Sequence, residues 1–258
     1  MTSSPACFTM SQTGAMSASS CAVSGSITCN YVSGESLSMS MSVAWGAIKT
    51  VFLDMDGTLL DLSFDSYFWQ RYLHLKYSQK NRIEFSHARE LLQSYYKGKA
   101  GTLDWYCTDY WTNELDMDVA ALKREVASRI RIFPHVEQFL ERLVAAKKHV
   151  ALVTNAHPSS ISVKMSCVPI EPYFDRIISS HHFGCPKEQQ GFWEKMMDAF
   201  PFDPEATLLV DDNLDVLACA KTYGIRHLVT IRRPDSSKPE REALPYETIS
   251  NFAEIMPA

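Results

Sequence analysis

A parallel α/β sheet with helices on both faces, interrupted after its first strand by an all-helical insert, is the fold class that this 258-residue sequence predicts. Three observations point to it. The apolar run Val51-Phe52-Leu53 ends abruptly in Asp54-Met55-Asp56-Gly57-Thr58, as a buried strand does where it meets a turn. From about Leu62 to Arg131 strand signals give way to helical periodicity dense in aromatic residues. Beyond residue 132, short apolar strands alternate with helices, the pattern of a parallel sheet.

The elements follow in order. Residues 1–44 are rich in Ser, Met, Thr, Ala and Gly, and Glu35 is the only charged residue among the first forty. Such a segment buries too little apolar surface to offset the entropy of ordering it, so it is expected to be a disordered tail. It lacks the basic start and continuous apolar stretch of a secretory signal. Met39 and Met41 lie just before the first globular-looking residues, so an over-extended start site is expected; peptides from residues 1–38 in a mass spectrum of the native protein would refute this. Val51–Leu53 is the first strand, and Gly57 permits the sharp turn after it. The insert reads as helices over Asp65–Ser78, Ile83–Lys97, Thr102–Leu115 and Val119–Ser128. The core, residues 45–61 and 132–258, resumes with a helix from Pro134 to Val144, its proline near the first turn. Strands are expected at His149–Val153, Arg176–Ser179, Thr207–Val210 and His227–Ile231, with helices at 159–166 and Leu214–Tyr223, the latter stopped by Gly224. The insert, 62–131, is then a helical cap over the carboxyl edge of the sheet.

Composition narrows the function. With 46% hydrophobic and 21% charged residues the chain is an ordinary globular protein. A net charge of -5 argues against binding a nucleic-acid polymer, which needs a basic face. The apolar runs are short and interrupted, so no membrane span is expected. Seven cysteines are scattered without metal-ligand spacing. Cys107, Cys167, Cys185 and Cys219 read as small buried hydrophobes in a reduced, cytoplasmic protein.

Four polar clusters end apolar segments. In extended backbone Asp54 and Asp56 point to the same side, at the strand end where open α/β sheets place ligands. Two such carboxylates share a divalent cation, or one attacks while the other moves protons. Thr154-Asn155-Ala156-His157-Pro158 sets a hydroxyl and backbone N–H groups at a strand end, a setting that suits an anionic oxygen and equally an ordinary helix cap. Phe183-Gly184-Cys185-Pro186-Lys187-Glu188 puts a lysine at an expected helix start, where a cation either faces solvent or meets an anion. Asp211-Asp212-Asn213 closes a strand with adjacent carboxylates, which repel unless a cation or donor compensates; a Mg²⁺ shared with Asp54 would do so.

Together the clusters resemble the four signature motifs of the haloacid dehalogenase superfamily of phosphohydrolases, over about residues 46 to 235. A closer resemblance, to the bacterial GMP/IMP 5′-nucleotidase family, is carried by Trp45, Leu53 to Leu62, Phe64-Asp65, Phe68-Trp69, Trp105-Tyr106-Cys107, Asp109-Tyr110-Trp111, Thr154 to Pro158, Pro186-Lys187-Glu188 and Asp211-Asp212. It runs through the cap. Asn213 departs from it, standing where a serine is more usual, and is expected still to cap the helix.

The resemblance implies a Mg²⁺-dependent phosphomonoesterase acting on a small phosphate ester, in particular a purine 5′-nucleotide. Asp54 is the implied nucleophile and Asp56 the acid and base, its carbonyl also a metal ligand. Thr154, Asn155 and Lys187 hold the phosphate oxygens, with Thr58 beside them. Asp54, Asp56, Asp211 and Asp212 form the metal set, Asp212 being the preferred direct ligand of the last pair. In the cap, Trp69, Trp105 and Tyr106 are the aromatics expected to contact the base, while most of the others are core. His157, His181 and His182 are read as structural or peripheral. Among the rivals, a dehalogenase needs no metal and generally lacks the second acidic residue, so Asp56 with Asp211-Asp212 argues against it, and a silent binding protein would have lost at least one of Asp54, Asp56, Lys187 or the acidic pair. A phosphatase of another metabolite and a phosphomutase share the same residues.

Overall fold

The computed structural model describes residues 43–257, and the expectations for residues 1–42 lie outside them. Six parallel strands form one sheet in the order β3-β2-β1-β4-β5-β6. They are β1 Thr50–Leu53, β2 His149–Thr154, β3 Arg176–Ser179, β4 Thr207–Val210, β5 His227–Ile231 and β6 Glu247–Ile249. Five of the six match the expected strands. β6 was not foreseen: three residues, Glu247-Thr248-Ile249, carry too little pattern to be read without the neighbour they pair with.

The sheet is buried on both faces because successive side chains of β1 alternate between two cores. Val51 and Leu53 pack with Val136, Phe139, Leu140 and Leu143 of α7 (Val136–Ala145). Phe52 points the other way, to Phe192 and Trp193 of α9 (Gln190–Ala199) and Val216 and Leu217 of α10 (Leu214–Tyr223). At the start of the described residues Val43, which the expected tail of 1–44 included, packs with Trp45 on the first core, so the tail expectation fails at its last residues; the Trp45 indole donates to the Ile255 carbonyl at 3.1 Å.

Between β1 and α7 lies the helical cap: α1 Ser63–Tyr67, a π-helical turn Phe68–Tyr72, α2 Leu73–Asn81, α3 Phe85–Tyr96, α4 Leu103–Tyr106, α5 Thr108–Leu115 and α6 Val119–Glu125. The expected single helix over Thr102–Leu115 is two, broken at Cys107, whose extended backbone lets its thiol cap α5 by accepting the Tyr110 N–H. The chain enters and leaves the cap side by side. Leu60 bridges Ile132 in antiparallel fashion, Asp61 N–H donates to the Arg131 carbonyl and Phe133 N–H to that of Leu59. α8, Pro158–Met165, follows β2 and touches α6 of the cap. Among the described residues no helix is long and apolar enough to cross a membrane.

Candidate active site

Strand register assembles the first part of the site. Leu53 is level with Leu152 on one side and Val210 on the other, so Asp54, one residue on, lies beside Asp211, and Thr154 ends the adjacent strand. Asp54 N–H donates to the Val210 carbonyl at 3.0 Å, which fixes the carboxylate at the sheet edge. Gly57 then turns the chain with φ +85°, and a Cβ there would stand 2.7 Å from the Asp212 Cγ. Glycine is required twice over, by the backbone and by the carboxylate packed on it.

Lys187 is the hub. Its side chain is 2% exposed, and Nζ donates to Asp54 Oδ1 at 2.6 Å, to Asp211 Oδ2 at 2.6 Å and to the Val153 carbonyl at 2.9 Å. It does not begin a helix, as the sequence suggests; α9 starts at Gln190, and Lys187 sits in a turn whose N–H donates to Asn155 Oδ1. A buried ammonium is costly unless paired, and it gains its two carboxylates by leaving the helix start, where the dipole opposes it. Burial works against the Lys187 charge, yet Asp211 and Asp54 hold its pKa above the ordinary value.

The carboxylates are less well compensated. Asp54, Asp211 and Asp212 offer oxygens within 4.8 Å of one another. Burial, which Lys187 opposes, pushes Asp54 up to about 6. Asp212 is driven well above the usual range by burial and by the charges of Asp211 and Asp54. Asp211 is engaged at both oxygens, by Lys187 and by the Asn213 N–H, whereas only the backbone carbonyl of Asp212 is bonded, to Arg241. One lysine against three carboxylates leaves negative charge at an all-oxygen donor set, which suits a hard divalent cation. Asn213 caps α10 through the Asp215 N–H, as expected.

A second lysine holds Asp56. Lys164 Nζ, on α8, lies 2.5 Å from Asp56 Oδ1 and 2.6 Å from Asp65 Oδ2. Lys123, on α6, donates to Asp65 Oδ1 at 2.7 Å and to Ser160 Oγ at 3.0 Å. Burial would raise Asp65, but the two lysines outweigh it and take it down to about 2. Asp56 has one lysine and two acidic neighbours, and burial pushes it up to about 6. Lys164 and Lys123 escape a sequence reading because each stands alone on its helix, and Asp65 enters it only as part of the family resemblance, with no role attached. The only local signal is a lysine following the apolar positions Ile161 and Val163 of a helix.

Glu188 is a further residue to which the sequence reading attached no role. It accepts from Tyr106 Oη at 2.6 Å, Asn155 Nδ2 at 2.8 Å and Asn213 Nδ2 at 3.1 Å, tying the cap to two of the strand-end loops. Thr154 is buried and its Oγ1 accepts the Ala156 N–H. Asp54, Asp56, Thr154, Asn155, Lys187, Asp211 and Asp212 line one cavity of about 920 Å³. Trp69, Trp105 and Tyr106 line it from the cap, where sequence reasoning puts them. Thr58 does not reach its wall; the hydroxyl is buried without a partner.

Cysteine and histidine ligand types, never spaced as a motif, are brought together once among the described residues. Cys107, His157 and His181 place one ligand atom each within 4.8 Å of the others. Thr108 Oγ1 shares a hydrogen bond of 2.7 Å with His157 Nδ1, joining cap to core. Burial and the neighbouring His157 bring His181 down to about 4, so its ring is neutral near pH 7. His182 is not on the cavity wall.

The chain is similar to known proteins in sequence and in fold. The family model for haloacid dehalogenase-like hydrolases matches residues 48–224. A GMP/IMP nucleotidase of Escherichia coli K12, YrfG, is 36% identical over 220 residues, covering 85% of this chain and 99% of its own. A glyceraldehyde 3-phosphate phosphatase of Pyrococcus furiosus is 24% identical over 69% of this chain and 79% of its own. The crystal structure of a haloacid dehalogenase-type phosphatase from Thermococcus onnurineus superposes with a TM-score of 0.67 at 22% identity, over 80% of this chain and 95% of that one. The chain belongs to the haloacid dehalogenase-like hydrolases.

Proposed function

We propose that this haloacid dehalogenase-like hydrolase is a magnesium-dependent phosphomonoesterase that hydrolyses a purine 5′-nucleotide, GMP or IMP, through an aspartyl-phosphate at Asp54. The observation that carries the reading is Lys187 Nζ held at 2.6 Å from both Asp54 and Asp211, with Asp212 beside them. That arrangement presents a nucleophile, a cation and a surplus of carboxylate oxygens to one phosphoryl group.

The Asp54 carboxylate attacks phosphorus in line, and the bond from phosphorus to the ribose oxygen breaks. Asp56 delivers a proton to that oxygen. As a carboxylate it then takes a proton from the water that attacks phosphorus, releasing phosphate and restoring Asp54. Burial raises the Asp56 pKa to about 6, which keeps a useful protonated fraction near neutral pH. Thr154, the Asn155 N–H and the Lys187 ammonium hold the non-bridging oxygens. Asp54, Asp212, Asp211 and the Asp56 carbonyl would hold Mg²⁺, which when bound neutralises charge and orients the phosphate.

Residues 62–131 act as a cap that shuts the cavity against water, with 45–61 and 132–258 as the catalytic core. The nucleotide reading is supported by the activity in the name of the E. coli relative and by a cavity of about 920 Å³ with indole walls, roomier than a triose phosphate needs. A net charge of -5 speaks against a nucleic-acid polymer as partner. Free thiols at Cys107, Cys167, Cys185 and Cys219 are in keeping with the reducing cytoplasm.

The test is phosphate release from GMP, IMP, AMP, glyceraldehyde 3-phosphate and 6-phosphogluconate with Mg²⁺, by the native protein and by Asp54→Asn. Release from GMP and IMP that Asp54→Asn abolishes is expected. Equal background release by both proteins would refute the proposal.

A further inference from the structure

The cavity has a second polar end, in the cap. His74, on α2, is 2% exposed, and neither ring nitrogen has a hydrogen-bond partner. Such a group is rare in a folded protein and calls for an explanation. Its ring lies nearly parallel to Tyr96, with centroids 6.2 Å apart and an interplanar angle of 28°. Arg89 and Gln93 lie four residues apart on α3, hence on one face, and both line the cavity with His74. The same spacing relates Gln70 to His74 on the facing helical segment.

Arg89 differs from every other cation of the wall. Lys123, Lys164, Lys187 and Lys238 each bond a carboxylate, and Arg241 bonds backbone carbonyls. Among the described residues no acidic group or hydrogen-bond acceptor engages the Arg89 guanidinium. Burial and the Arg89 charge lower the His74 pKa, so the imidazole is neutral and offers one donor and one acceptor.

The route to this end starts on the leaving-group side of the phosphoryl site. It runs from Asp56 through Lys164, Asp65 and Lys123, whose ammonium stands 5.4 Å from the Trp69 ring centroid. From Trp69 it passes Tyr96 at 6.3 Å and reaches His74. One cavity wall thus joins the charged network beside Asp56, by way of Trp69 and Tyr96, to the unpartnered His74 and Arg89.

We propose that Arg89 and His74 form the subsite that reads the base of the substrate, and that they select 6-oxopurines; this rests on the nucleotidase reading above. The O6 and N7 atoms of guanine and hypoxanthine are both acceptors, a pair that one guanidinium satisfies in bidentate fashion. Adenine presents an N6 amino donor in place of O6, and a donor-only guanidinium has nothing to give it. His74, with one donor and one acceptor, completes the edge. A single cation among indole walls suits a flat, neutral heterocycle better than a second phosphate, which would draw several cations.

The experiment measures kcat/KM for IMP, GMP, AMP, ribose 5-phosphate and fructose 1,6-bisphosphate, for the native protein, Arg89→Met and His74→Phe. Arg89→Met is expected to lower the IMP-to-ribose 5-phosphate ratio by about 10- to 100-fold, and His74→Phe to lower it less. Arg89 is exposed, so its variant should fold even where His74→Phe does not. IMP binding to Asp54→Asn, with and without Arg89→Met, gives a second readout by calorimetry. An unchanged ratio, native kcat/KM equal for IMP and AMP, or a bisphosphate preferred over IMP would each overturn the subsite while leaving the phosphatase reading intact. Release from ribose 5-phosphate but from no nucleotide would remove the nucleotidase reading itself, and the subsite with it.

Discussion

Two buried lysines do the same local job in different places. Lys187 bonds Asp54 and Asp211, and Lys164 bonds Asp56 and Asp65. Lys187 joins two neighbouring strand ends, so everything it touches belongs to the core. Lys164 joins the turn after β1 to the first helix of the cap, where Lys123 on α6 completes the chain. In the proposed mechanism one lysine serves the phosphoryl group, and the other ties Asp56, the proposed acid and base, to the position of the cap. A buried ion pair is weak grounds for stability, because desolvation cancels most of the attraction. Its placement at two distinct points of the site is the more informative fact.

Removing each lysine separates the two roles. Lys187→Met leaves Asp54 and Asp211 unpaired and withdraws a charge from the phosphate, so kcat is expected to fall by about 10³-fold, for every substrate alike. Steady-state assays with GMP and p-nitrophenyl phosphate check this; a loss on only one of them would break the assignment.

The excess of carboxylate over lysine should appear as a pH dependence. Asp54 has a pKa of about 6 against an ordinary 3.8, so the folded metal-free protein binds more protons than the unfolded chain. The corresponding stability is present below pH 3.8 and is lost as pH rises through about 6, a change of about 3 kcal/mol for this group. Thermal melts of chelated protein between pH 4.5 and pH 7.5 should show Tm falling across that window, and Mg²⁺ should flatten the fall. A Tm in chelator that rises with pH would contradict it.

Lys164→Met is expected to act more gently and selectively. Asp56 keeps its place at the turn but loses its partner, so kcat for a nucleotide should fall by about 10- to 100-fold. With p-nitrophenyl phosphate, whose leaving oxygen needs no proton, the fall should be much smaller. Equal losses on both substrates would mean that Lys164 only stabilises the fold. The smallest effect belongs to Lys123→Met, because Asp56 retains Lys164: kcat should change by no more than about threefold, while a lower Tm reports the looser cap.

The core was the more legible region. β1, β2, β3, β4 and β5 fall where short apolar runs stand in the sequence; the Asp54 and Asp211 groups were identifiable because each ends such a run, and Lys187 because a lysine at an expected helix start calls for an anion. The cap was legible as helical and aromatic but not in detail. The π-helical turn Phe68–Tyr72 and the break at Cys107 depend on packing that periodicity does not encode. Lys164, Lys123, His74 and Arg89 passed unnoticed, and Asp65 and Glu188 entered only through the family resemblance, for a common reason. Their surroundings come from elements tens of residues away, and isolated polar residues most often face solvent.

By itself the sequence determined the succession of strands and helices, the place of the insert, and the four polar clusters with the family they belong to. Those are local properties: apolar periodicity, a glycine where the backbone turns left-handed, a carboxylate where a strand stops. Only the tertiary structure decided which charges are paired and which are left free. It lifted Lys187 out of a helix start into a carboxylate pair, ran Lys164 across to the cap, and left Arg89 and His74 without partners on the cavity wall. Charge pairing is set by distance and burial after folding, and neither is a property of residues taken one at a time.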